Sequence, residues 1–68
     1  MTNVQKLHDK IERSSLSHTA IAAALGMSMP TYYSRKSGKS EFVASEISTM
    51  TKLLGLTKAE RDEIFFGE

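Results

Sequence analysis

Few residues of this chain are of a type that does covalent chemistry. It contains no cysteine, which removes a disulfide framework, a thiolate zinc site and a thiol nucleophile together. His8 and Glu12 stand four residues apart and would share a helical face, which is half of a metal site. No further ligands follow at metal-site spacing. His8 is therefore read as a surface residue, and neither a metal nor a cofactor is expected. There is no HExxH, no phosphate-cradling glycine loop and no Ser-His-Asp order with a plausible cleft. An enzyme is not expected, since a helical chain of 68 residues leaves little room for a substrate pocket. What remains is recognition chemistry: Arg35, Lys36 and Lys39 follow directly on Tyr32 and Tyr33. Cations gathered in a short stretch suit a polyanion, although the same three residues would also make an ordinary solvated face.

The charge distribution bears on that choice. The net charge is only +1, but residues 1–40 carry six cations against two acids and residues 41–68 carry three against six. The halves are thus +4 and −3. Such asymmetry points either to a polyanion-binding face or to a mixed solvated surface. Apolar residues at 40% and charged residues at 25% exclude a disordered chain and predict one small packed domain spanning residues 1–68. The longest apolar run, Ala20 to Leu25, is too short for a membrane span. A soluble intracellular protein is expected, with no membrane partner.

Helical spacing accounts for the whole chain. Val4, Leu7 and Ile11 share a face after a cap at Thr2 or Asn3, which predicts a helix over 4–13. Ser17 caps a second helix, with Leu16 and Ile21 as its hydrophobic staple, and Gly26 ends it. Ser28 caps a third helix with Pro30 in its first turn, ending near Ser37 and Gly38. Val43, Ile47, Met50 and Leu54 define the apolar face of a fourth helix closing at Gly55. Thr57 and Glu60 form a capping box that opens a fifth, ending in Ile64-Phe65-Phe66. No stretch alternates with period two for long enough to propose a strand. The expectation is an all-α, compact five-helix domain.

The joint between helices two and three carries the functional reading. Ala22 leaves room for a second helix to approach, Gly26 makes the turn, Met27 covers the corner and Tyr32 returns a large ring to the core. With Ile21 and Leu25 these residues form a helix-turn-helix pattern over about 18–37. In such a pattern the second helix is free to enter the DNA major groove. Tyr32 is expected in the core and Tyr33, about 100° around the helix, on the surface.

The segment SHTAIAAALGMSMPTYYSRKSG and the downstream run SEFVASEISTMTKLLGLTKAERDEIFF together resemble the Cro and phage-repressor helix-turn-helix family. The likeness is to its small Gram-positive phage and prophage regulators. The resemblance implies a lambda-repressor-like fold that binds double-stranded operator DNA and represses transcription, often as a homodimer on a near-palindromic site. It places Ser28, Met29, Pro30, Tyr33 and Ser34 toward base edges. His18, Thr31, Arg35, Lys36 and Lys39 fall where phosphates are held. Some positions depart from the family pattern. His18 replaces a common Gln, and Met29 and Pro30 replace polar base readers. Arg35 stands where many members bury an aliphatic side chain, which implies snorkelling or a slight rotation of the helix.

A second reading comes from the other end of the chain. Of Phe65 and Phe66, one is expected to cap the core and the other to be left over. An exposed Phe beside Leu56 or Met50 would be an oligomer or partner contact, so Leu56, Phe65 and Phe66 are the candidates for a protein-partner or dimer contact. With the apolar Met29-Pro30 start of helix three and the acidic final third, this suggests a protein-binding module. Such a module would act as an antirepressor or modulator in complex with the partner phage repressor of a lysis–lysogeny switch.

Overall fold

The computed structural model describes residues 1–67 and contains five helices and, among these residues, no strand. They are α1 (Val4–Arg13), α2 (His18–Leu25), α3 (Met29–Lys36), α4 (Ala44–Leu54) and α5 (Lys58–Phe66). None is long and apolar enough to cross a membrane.

Local capping chemistry sets most of the boundaries. The side chains of Asn3, Ser17, Ser28 and Thr57 each accept from a backbone N–H in the first turn of the helix that follows. Each thereby satisfies a donor that the helix itself leaves without a partner. Gly26 ends α2 at φ +69°, a left-handed conformation that an L side chain adopts only at a cost. Only Met27 and Ser28 separate it from α3. Gly38, at φ +85°, is needed for a second reason: a Cβ there would lie 3.2 Å from Val4 Cγ2. Val4 therefore packs against a bare backbone at the rim, and it stays 40% exposed rather than joining Leu7 and Ile11 inside.

The core draws on every helix. Leu7 and Ile11 of α1, Ile21 and Ala22 of α2 and Tyr32 of α3 are buried with Ile47 and Met50 of α4 and Ile64 and Phe65 of α5. Phe42 and Leu56 join them from the connections, and the Phe42 and Phe65 rings meet edge to face at 5.2 Å.

Three expectations from the spacing need correction. Val43 is not an interior residue of the α4 apolar face. The Glu46 carboxylate accepts the Val43 backbone N–H at 2.9 Å, so the helix starts one residue later and Val43 becomes an extended, half-exposed N-cap. Phe42 fills the core position instead. Leu56 and Phe65, proposed as partner or dimer contacts, are both buried in this core and present no surface. Phe66 alone of that trio is exposed, at 51%.

The two ends of the chain are joined. The Asn3 N–H donates to the Ile64 carbonyl at 2.6 Å, and Lys6 and Lys10 of α1 pair with Glu63 and Glu60 of α5. Lys10, beside Glu60, holds its carboxyl down at about 2, helped by the Thr57 backbone N–H.

Candidate nucleic-acid interface

The first turn of α3 is set by Ser28, whose Oγ accepts the Thr31 N–H at 3.4 Å and donates to Thr31 Oγ1 at 3.1 Å. Pro30 sits in the same turn, exposed, where its missing N–H has no helical partner to lose. One residue apart, the two tyrosines part ways as helical geometry requires: Tyr32 is fully buried and Tyr33 is 47% exposed. Their rings stay in edge contact at 5.3 Å.

Around Tyr33 a face assembles. The His18 ring, at the start of α2, lies 6.0 Å from the Tyr33 ring on one side. On the other, Lys36 Nζ stands 5.9 Å from the ring centroid, within cation–π reach. Lys39 follows in the exposed connection after α3. Among the described residues neither lysine lies within ion-pair distance of a carboxylate. Both ammonium groups thus remain available to an anion. His18, Thr31, Tyr33, Lys36 and Lys39 are therefore solvent-accessible in whole or part, with Ser28 and Pro30 at the start of the same helix.

Other residues assigned to this face are engaged elsewhere. Arg35 is not available to a phosphate: its Nε donates to Glu46 Oε1 at 3.0 Å and its Nη1 to Ser40 Oγ at 2.8 Å. The side chains of Arg35 and Glu46 are only 22% and 16% exposed. Beyond the two alternatives of snorkelling or rotation, the structure supplies a partner: the Glu46 carboxylate pairs with the cation. Ser34 is drawn the same way, its hydroxyl 2.9 Å from Ser40 Oγ. Met29 is half-buried and packs against the core, so it does not stand free toward a base edge.

The charge arithmetic changes accordingly. Three of the six cations in residues 1–40, Lys6, Lys10 and Arg35, are spent on acids of the second half. The +4 and −3 halves are not two opposed surfaces; they are partly zipped together. Three remain, Arg13 at the end of α1 and Lys36 and Lys39 at the end of α3 and just after it, and only the last two belong to the face around Tyr33.

Sequence spacing missed two positioning residues. Glu46 lies eleven residues beyond Arg35, and only the oddity of a cation at that position hinted at a partner. Tyr32 was expected to supply bulk, but its hydroxyl also sits 2.7 Å from His18 Nδ1, fourteen residues away. No local signal marks that pair.

Comparison of the chain with protein-family models, with curated proteins and with solved structures found no match in any of the three. The functional reading therefore rests on these side chains.

Burial also gives this face a pH limit. It pushes the Tyr32 phenol up from 10.0 to about 12, with Tyr33 and Glu12 adding to the effect. Because the folded chain resists ionisation more than the unfolded one, this contribution to stability is complete below pH 10 and is lost as pH rises through about 12. Thermal midpoints of the wild type are expected to fall more steeply over that window than those of Tyr32→Phe. Parallel curves would show that the phenol is not buried in this way.

Elsewhere, Phe66 and Phe42 border an open groove of about 520 Å³ between α4 and α5, together with Ile47, Thr51, Lys52 and Arg61. The His8–Glu12 pair gathers no third ligand, and no metal-binding cluster occurs among the described residues.

Proposed function

We propose that the protein is a small DNA-binding transcriptional regulator of the Cro-like, phage-repressor type. In this reading α2 and α3 form a helix-turn-helix and α3 enters the major groove of operator DNA. The observation that carries it is the outer face of α3, where exposed Tyr33 lies between His18 and Lys36, with Lys39 following, and among the described residues neither lysine is paired with an acid. Phosphate contacts orient such a helix, and base edges are then read by the groups that reach them. Here Tyr33, Ser28 and the apolar edge of Pro30 are the groups placed to do so. The repressor function follows from occupying operator DNA in a bacterial host cell, as one component of a phage genetic switch.

Two lysines on the α3 face of each subunit predict a shallow salt dependence, a slope of about −1.8 for one subunit and twice that for a homodimer on a near-palindromic site. Titration of the purified protein against duplex DNA from its own promoter region, at several salt concentrations, measures this directly. Lys36→Ala and Lys39→Ala are each expected to flatten the slope by about one. Arg35→Ala, whose cation is held by Glu46, is expected to leave it unchanged. No retardation even at low salt would rule out operator binding.

A second reading has one specific observation in its favour, the exposed Phe66 over the apolar groove between α4 and α5. It supports an antirepressor or modulator that binds the partner phage repressor. The two readings separate in the same experiment: this one requires a complex with the neighbouring repressor that Phe66→Ser abolishes and Lys36→Ala leaves intact.

A further inference from the structure

We propose that Tyr32 is a positioning residue which locks the neutral His18 ring into its Nε2–H tautomer, so that Nε2–H is the hydrogen-bond donor it presents beside α3. The Tyr32 residue is completely buried, and its hydroxyl lies 2.7 Å from His18 Nδ1. A buried hydroxyl hydrogen left without an acceptor is costly. His18 Nδ1 is the hydroxyl's one hydrogen-bond partner among the described residues. The Tyr32 hydroxyl, neutral up to about pH 12, therefore donates. Nδ1 must then keep its lone pair, and in the neutral ring the hydrogen resides on Nε2.

That second nitrogen lies toward Glu12. Nε2 is 3.9 Å from Glu12 Oε2, too far for a hydrogen bond, and the His18 and Glu12 side chains are 33% and 58% exposed. The charged and titratable groups facing the ring are thus Glu12 from α1 and Tyr32 and Tyr33 from α3. The pair thus holds one oriented N–H at the start of α2. The assignment of a DNA phosphate as its acceptor rests on the proposed function; the tautomer does not.

The test has two arms that fail separately. In the free protein, nitrogen NMR of the imidazole rings is expected to show His18 as a single Nε2–H tautomer, its Nδ1 resonance displaced by an accepted hydrogen bond. Exposed His8 serves as the unconstrained reference in the same spectrum. In Tyr32→Phe the His18 spectrum should converge on that of His8. An Nδ1–H tautomer in the wild type, or a His18 spectrum that Tyr32→Phe does not move, would overturn the lock. Should the variant fail to fold, the wild-type contrast between His18 and His8 still decides it.

In the second arm, Tyr32→Phe should weaken binding to promoter duplex by up to about tenfold with the salt slope unchanged, because the substitution removes no charge. Binding equal to the wild type would remove the phosphate from His18 while leaving the lock supported. A wild-type protein that binds no DNA would sink the proposed function and not the tautomer.

Discussion

Arg35→Ala is expected to lower the stability of the fold by about 2 kcal/mol. The full cost of stripping one partner from a buried ion pair is about 3–5 kcal/mol. Arg35 and Glu46 retain 22% and 16% side-chain exposure, which lets water relieve part of the stranded charge. The loss extends beyond the pair. Glu46 Oε1 accepts from both Arg35 Nε and the Val43 N–H, and Ser40 Oγ receives Arg35 Nη1 and lies against Ser34. One guanidinium thus ties the last turn of α3 to the first turn of α4. Chemical denaturation of Arg35→Ala, Glu46→Ala and the double variant checks this. The double variant should be less destabilised than the two single costs added together, because removing the second partner removes an unpaired charge. Strict additivity would mean that the two side chains do not depend on each other. The same Arg35→Ala protein, assayed with DNA while folded, keeps the salt slope of the wild type if its cation serves structure alone.

Leu7→Ala is expected to cost more, about 3 kcal/mol, since the side chain is completely buried and its removal leaves a cavity that helical neighbours fill only in part. For a domain of this length that is a large share of a total of about 3–10 kcal/mol. The thermal midpoint should drop by roughly 12–24 °C. A calorimetric scan would show it, and a drop under a few degrees would mean that α1 is not packed as described. Val4→Ala, at the exposed rim of the same helix, is the natural comparison and should cost far less.

Much of this architecture was legible because its signals are local. Ser17, Ser28, Thr57 and Gly26 announce helix ends within a few residues of where they act, and α1 spans the residues its spacing predicts. The division of labour between Tyr32 and Tyr33 was legible for the same reason, since a helix turns neighbouring residues apart. Contacts between distant parts of the chain left no such mark. Arg35 carried the character of a phosphate ligand until Glu46 was seen across the α3–α4 connection. Val43 had the right spacing for the core, but the Glu46 cap shifted the helix start and put Phe42 there instead. Leu56 and Phe65 are apolar residues near an exposed apolar end, and only the packing of α5 distinguishes them from Phe66. The charge halves misled in the same way. Counting along the chain cannot reveal that α1 and α5 are neighbours.

That neighbourhood sets a condition on how the chain folds. Lys6 and Lys10 meet partners 57 and 50 residues further on, and the Asn3 N–H reaches Ile64. Closing a loop of that length costs about 1.6 kcal/mol more chain entropy than closing one of about ten residues. The turns between α2 and α3 and between α4 and α5 ask for far less. Helices in the middle of the chain can find one another early, while α1 has no α5 to rest on until residues 60–64 have been synthesised. A chain cut short before α5 would therefore carry a nearly complete α2–α3 unit, with its first helix left to its packing against α3 and without that against α5.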